Sequence, residues 1–157
     1  MPKNRFFWIV AIIGLLLDQW TKYWIVTHFQ PQESWALWFD VFHVTYVKNT
    51  GAAFSVFRGG VGWLRWLSLA VSVGLMIFAI RGPRLKITEQ LGYGFILAGA
   101  LGNGMDRFLF GYVVDFLDFR LIQFPVFNLA DVCINFGIAF LLISVLNQPK
   151  ITKKRDS

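Results

Sequence analysis

"FNLADVCINFGIAFLLISVL", residues 127–146, places Asn128 and Asp131 at its head and then runs without a charge to Leu146. A helix that crosses a bilayer needs about 20 consecutive, mostly apolar residues, and this stretch has that length. Residues 6–27, 61–80 and 91–110 read the same way, in a chain of 157 residues that is 56% hydrophobic. That composition is too apolar for an ordinary soluble domain. The expectation is an all-α membrane protein with four transmembrane helices, one integral domain over 1–157. The head of the last stretch has a local explanation: Asn128 as helix N-cap and Asp131 as third helical residue would satisfy free amides and suit the helix dipole. The same placement would hold Asp131 ionised and fixed in direction, so capping does not exclude chemistry.

The first span follows "MPKNR". It starts like a signal peptide but lacks a small-residue cleavage site and continues through Asp18 and Lys22, which predicts an uncleaved anchor. Lys3 and Arg5, then Arg81, Arg84 and Lys86, then the basic tail at 148–157 share one side if there are four spans. The positive-inside rule makes that side cytoplasmic, with both termini there. The net charge of +6 therefore reports topology and attraction to anionic membrane lipid, and no nucleic-acid partner is called for. One cysteine, Cys133, and two histidines make a poor zinc set and supply no motif for a nucleophile. Cys133 reads as a small packing residue, which leaves the carboxylates as the candidates for chemistry.

Asp18, Asp106 and Asp131 fall within predicted spans, where a carboxylate is costly and marks a functional site. At ~1.5 Å rise per residue, Asp18 lies roughly 12 Å and Asp106 and Asp131 roughly 6 Å below the outer ends of their helices. All three converge on one outer-leaflet site. Asp115 joins them from "RFLFGYVVDFLDF" (107–119), apolar enough to lie on the membrane as a short outer amphipathic segment; Asp118 there reads as the simpler surface charge. Asp18 and Lys22 are spaced for a helix ion pair. In "GNGMDR" (102–107) the glycines read as close helix packing, which leaves Asn103, Asp106 and Arg107 unexplained. The loop at 28–60 is too long to be structureless. "VFHVTYV" alternates, and "NTG" (49–51) before "AAFSVF" reads as a turn between two strands, giving a small periplasmic β-platform over about 35–58. Trp35, Trp38 and Phe39 suit the headgroup level. "RGPRLKITEQ" reads as a plain link, with Thr88 as a helix cap.

Five ordered motifs, "DQWTK" (18–22), "KNTGAAF" (48–54), "GALGNGMDR" (99–107), "VVDF" (113–116) and "FNLAD" (127–131), resemble those of the lipoprotein signal peptidases, or signal peptidase II family, aspartic peptidases of the bacterial inner membrane. The resemblance covers most of the chain. It implies catalytic aspartates at Asp115 and Asp131; Asp106, also acidic and near the site, is the rival, ranked second because its neighbour Arg107 offers it an ion-pair role. It implies support from Asp18, Lys22, Asn49, Gly51, Asn103, Asp106, Arg107 and Asn128, with no metal and no cofactor. The implied substrate is a lipid-modified prolipoprotein, cut just before its diacylglyceryl-modified cysteine; for the oligomeric state, a monomer is the simplest expectation. Two paired carboxyl groups in a low-dielectric site share a proton, one serving as base and the other as acid. Intramembrane aspartates also suit a proton-coupled transporter or channel subunit, or a noncatalytic scaffold. Transporters usually show internal repeats and polar groups reaching both sides, and neither feature is legible here.

Overall fold

The computed structural model describes residues 3–51 and 61–147. The strand expected at 52–57 and the basic tail at 148–157 lie outside these residues. Four long helices, α1 (Arg5–His28), α2 (Val61–Arg81), α3 (Ile87–Leu109) and α4 (Leu129–Leu146), are joined by strands β1 (Ser34–Trp38), β2 (Phe42–Asn49) and β3 (Val113–Phe119). Among the described residues three helices, α1, 62–81 of α2, and α4, are long and apolar enough to cross a membrane. α3 is the exception because Glu89, Gln90, Asn103, Asp106 and Arg107 dilute its apolar run. It packs against α1, α2 and α4 and buries eleven residues, many of them glycine or polar. A helix surrounded by protein has less need of an apolar surface. α3 also begins four residues before the expected start, with Glu89 Oε2 accepting from Lys86 N at 2.9 Å. The cap is therefore Lys86, and Thr88 belongs to the first turn.

Close approach of α3 to α4 depends on glycine. A Cβ on Gly99 would collide with the carbonyl oxygen of Ala130 and approach Ile134 Cγ1 to 2.6 Å; one on Gly137 would meet the carbonyl oxygen of Gly92 at 2.7 Å. Cys133 is a buried free thiol at the α1 contact, 3.4 Å from where a Cβ on Gly14 would stand. At the opposite end of the bundle Asn4 is buried and bonds to Ala79 O (3.0 Å) and Leu85 N (3.0 Å), and so ties the start of α1 to the link between α2 and α3.

The sheet corrects two expectations. The strands form one antiparallel sheet in the order β1-β2-β3, so the chain is not purely helical beneath a separate hairpin. The described hairpin joins β1 to β2 through residues 39–41, where Asp40 has φ 58°. Residues 113–119, expected as an amphipathic segment lying on the membrane, are instead β3. Both faces of β3 are covered, burying every side chain but Leu117 and Phe119, so its period-two alternation is masked by apolar residues on either side. Val114 and Phe116 pack with Tyr46 of β2 and with Ile25 and Phe29 at the end of α1. This apolar core seats the sheet on the bundle and so sets where Asp115 stands. β1 is exposed along its length, with Trp38 and Phe39 68% and 76% exposed.

Candidate active site

The start of α4 has a doubly held N-terminus. Asn128 adopts extended backbone, its Oδ1 accepts from Asp131 N (3.0 Å), and Asp131 Oδ2 accepts from Asn128 N (3.2 Å). A second amide of that turn, Ala130 N, donates to Asp18 Oδ1 of α1 at 2.8 Å. The expected capping role of Asn128 and Asp131 is met, and Asp18 completes it from another helix.

Asp18 also meets Lys22 at 2.9 Å, and the same ammonium reaches Asp106 Oδ2 (3.1 Å) and Asn103 Oδ1 (3.1 Å). Three acceptors match the three donors of a lysine, and the group is buried. The expected partner of Asp106 was Arg107; the structure gives it Lys22. An i, i+1 neighbour on a helix points in a different direction, whereas Lys22 faces Asp106 across the α1–α3 contact. Asp106 Oδ2 also accepts from Val114 N at 3.0 Å, tying the start of β3 to α3. Gln19, passed over in the sequence although it lies inside "DQWTK", bonds to Asp18 Oδ2 (3.2 Å), Asp106 Oδ1 (3.2 Å) and Gly102 O (3.3 Å). Its position one residue from Asp18 was the only signal.

Asn103 and Asn128 link this buried cluster to the two remaining carboxylates. Asn103 Oδ1 accepts from Lys22 and from Asn128 Nδ2 (3.0 Å), which turns its own Nδ2 onto Asp131 Oδ1 at 2.8 Å. Asn128 Nδ2 also donates to Asp115 Oδ1 at 2.6 Å. With both lone pairs of Asn103 Oδ1 committed to donors, its amide orientation is fixed by the network. From β2, Asn49 Nδ2 donates to Asp115 Oδ2 at 2.8 Å while its Oδ1 accepts from Gly51 N (2.9 Å). Gly51 thus helps hold the Asn49 amide through a local turn.

Asp115 and Asp131 line one cavity of about 1030 Å³, together with Asn49, Gly51, Asn103 and Arg107. Its far wall is residues 124–127, which the sequence did not single out; Phe127 pairs with Leu117 of β3. Asp18, Lys22, Asp106 and Asn128 do not line the cavity and stand behind it. Arg107 Nη1 donates to Asn103 O (3.2 Å) and approaches Ser68 Oγ at 3.5 Å. Burial pushes the Asp115 carboxyl up to about 7, with the nearby charge of Asp131 adding to the rise and the donors Asn49 and Asn128 opposing it. Asp118 is no surface charge: it is buried, accepting from Thr45 Oγ1 (2.6 Å) and Arg120 Nε (3.0 Å).

The sequence profile described as "Signal peptidase (SPase) II" matches residues 10–147. A lipoprotein signal peptidase of Gloeothece citriformis is 65% identical over 158 residues, covering 100% of this chain and 99% of that one. One from Microcystis aeruginosa is 72% identical over 143 residues, covering 90% and 92%. A solved structure titled "Bacterial membrane enzyme structure by the in meso method at 2.3 A resolution" superposes with a TM-score of 0.83 at 29% identity, covering 95% of this chain and 92% of that one. With a paired-carboxylate cavity at the head of an apolar helix and relatives of this identity over nearly the whole length, the chain belongs to the signal peptidase II family of membrane proteases.

Proposed function

We propose that the chain is an aspartic endopeptidase with Asp115 and Asp131 as its catalytic pair, removing the signal peptide from diacylglyceryl-modified prolipoproteins just before the lipidated cysteine. The observation that carries this reading is the opening of both carboxylates on one cavity, coupled through Asn128 and Asn103. Four carboxylates, Asp18, Asp106, Asp115 and Asp131, face two cations, Lys22 and Arg107. That excess of negative charge in a partly dry site favours retention of one proton by the pair. Asp115, with its raised value of about 7, is the acid. Asp131, held by the helix N-terminus and by Asn103 Nδ2, is the base.

Asp131 takes a proton from water as the oxygen attacks the scissile carbonyl, while Asp115 gives its proton to the carbonyl oxygen. Collapse of the tetrahedral intermediate breaks the C–N bond: the proton now on Asp131 passes to the leaving amine, and Asp115 takes one back from a hydroxyl of the intermediate as the carboxyl product forms. Asn49 and Asn128 keep Asp115 aimed into the cavity, and Lys22 with Asp18 and Asp106 braces the helices behind it.

The setting supports the same reading. α3 has 23 residues, about 34 Å of helix, enough to span beside the other three. Contacts of Glu89 with Ser144 at one end and Asn103 with Asn128 at the other make α3 and α4 antiparallel, as alternating spans require. We place the chain in the bacterial cytoplasmic membrane as one four-span domain, a monomer with both termini inside. The exposed Trp38 and Phe39 then rest at the outer headgroups.

The test is cleavage of a diacylglyceryl-modified precursor by the purified protein in chelator, with folded Asp115→Asn and Asp131→Asn variants alongside. Cleavage by the wild type and its loss in both variants is expected. Continued cleavage by Asp115→Asn would end the assignment of Asp115 to the pair, and a folded wild type that never cleaves would end the proposal.

A further inference from the structure

The sheet holds a second polar cluster, none of whose members lines the cavity. Thr45, His43 and Asp118 are each more than nine-tenths buried. Thr45 Oγ1 donates to Asp118 Oδ2 across the β2–β3 pair at 2.6 Å, and Arg120 Nε donates to the same oxygen at 3.0 Å. Arg120 Nη2 reaches back to Ser34 Oγ on β1 at 2.7 Å, and Ser34 Oγ meets Thr45 Oγ1 at 2.8 Å and His43 Nδ1 at 3.2 Å. Side chains from all three strands thus converge on one network.

The network sits on an irregularity. Val44 lies opposite Leu117 but Val47 opposite Asp115, so β2 advances three residues while β3 advances two. The extra residue makes a bulge at Thr45 and Tyr46. Bulges re-aim side chains, and a one-residue slip in register turns every side chain of a strand to the other face. Downstream of the bulge, Asn49 stands on the face of Asp115 and donates to it at 2.8 Å. Without the extra residue, Asn49 would point away. Tyr46 is anchored in the apolar core; the Thr45 side chain is held through its hydroxyl, by Asp118 and Ser34.

We propose that Ser34, Thr45, Asp118 and Arg120 form a register clamp, with Thr45 as a positioning residue that holds the β2 bulge so that Asn49 reaches Asp115. The inference rests on Asp115 being the acid of the catalytic pair. The groups that bear on Asp115 are Asp131 of α4, Lys22 of α1, Arg107 and Asp106 of α3, and the donors Asn49 and Asn128. Asp118, three residues along the strand from Asp115, points to the opposite face, so the clamp acts on Asp115 through backbone register.

The test compares full-length wild type with Thr45→Val, Thr45→Ser and Asp118→Asn in micelles, following kcat, KM and the pH profile of cleavage of a diacylglyceryl-modified precursor. Thr45→Val and Asp118→Asn should lower kcat roughly tenfold to a hundredfold, the scale of a small misplacement of a reacting group, with KM unchanged. Asn49 donates to the ionised form of Asp115, so its loss lets Asp115 keep its proton to higher pH. The basic limb of the profile should move upward, and Thr45→Ser should restore both rate and limb. A wild-type rate and profile in folded Thr45→Val would overturn the clamp. So would a reduced rate with an unmoved limb, or failure of both Thr45→Val and Asp118→Asn to fold, since the cluster would then only hold the sheet. Asp115→Asn measured in parallel separates the two claims: if it still cleaves, the catalytic assignment fails; if it is dead while Thr45→Val behaves as wild type, only the clamp fails.

Discussion

Replacing Asn128 with alanine removes three side-chain hydrogen bonds at once: those to Asp115 Oδ1, Asn103 Oδ1 and Asp131 N. Losing the cap costs about 1 kcal/mol, and leaving a buried carboxyl short of a donor costs on the order of 1–3 kcal/mol more. Asn128→Ala should therefore melt several degrees lower in micelles and cleave far more slowly. A variant that loses neither would show that the asparagine bridge is idle. Asp115 supports a separate expectation from pH. Its folded value, about 7 against 3.8 for a free aspartate, means the folded state holds a proton that the unfolded chain has released. Stability should fall as pH rises from about 4 to 7 and level off above, with a limiting slope of about 1.4 kcal/mol per pH unit. Activity should decline through the same upper limit as the acid loses its proton. Asp115→Asn should flatten the stability curve, which denaturation at a series of pH values would show directly. At this scale the cap at Asn128 was legible because its signal is confined to four adjacent residues. So was the choice of Asp115 over Asp118 for the cavity, from its apolar neighbours. The pairing of Asp106 with Lys22 was not, because it crosses between helices 84 residues apart in sequence.

Among the helices, glycine position decides tolerance to substitution. Gly99 stands against the Ala130 carbonyl and Ile134, whereas nothing lies within 4 Å of a Cβ built on Gly74 in α2. Gly99→Val should open the α3–α4 contact that holds Asn103 against Asn128, with overpacking costs of about 1–3 kcal/mol or more and a matching loss of cleavage. Gly74→Ala should be neutral or stabilising by roughly 0.5–1 kcal/mol, the usual gain in a helix interior. Thermal unfolding of the two variants beside wild type checks both, and equal stability would mean that α3 does not depend on that close approach. The helices themselves were legible from length and hydropathy, and the ends of α1, α2 and α4 fall within two residues of the expected ones. α3 was harder to bound because its buried face is built from glycine and polar side chains rather than apolar ones. β3 was missed as a strand because its partner, β2, lies more than sixty residues earlier in the chain, and no local pattern can report that pairing.

Charge over the whole molecule separates along the bundle. Lys3, Arg5, Arg81, Arg84 and Lys86 cluster where the start of α1, the end of α2 and the start of α3 meet, opposite the end that carries the sheet and the cavity. Only a few basic residues, including Lys48, Arg65, Arg107 and Arg120, belong to the sheet end, and two of these are engaged with the site or the clamp: Arg107 lines the cavity and Arg120 binds Asp118. Such asymmetry in short loops sets orientation during insertion, and it supports the proposal that the basic end faces the cytoplasm and the cavity opens toward the outer leaflet. The charge asymmetry could be read from the sequence because it is one-dimensional; the cavity could not, because its walls come from β2, α3, β3, α4 and residues 124–127 together. A cysteine map tests the orientation. In a Cys133→Ser background, Trp38→Cys at the exposed hairpin should react with a membrane-impermeant maleimide in intact spheroplasts. Lys86→Cys, at the basic end, should react only after the membrane is opened. Reaction of Lys86→Cys in sealed spheroplasts would invert the topology and place the carboxylate pair on the cytoplasmic side, away from any substrate delivered to the outer leaflet.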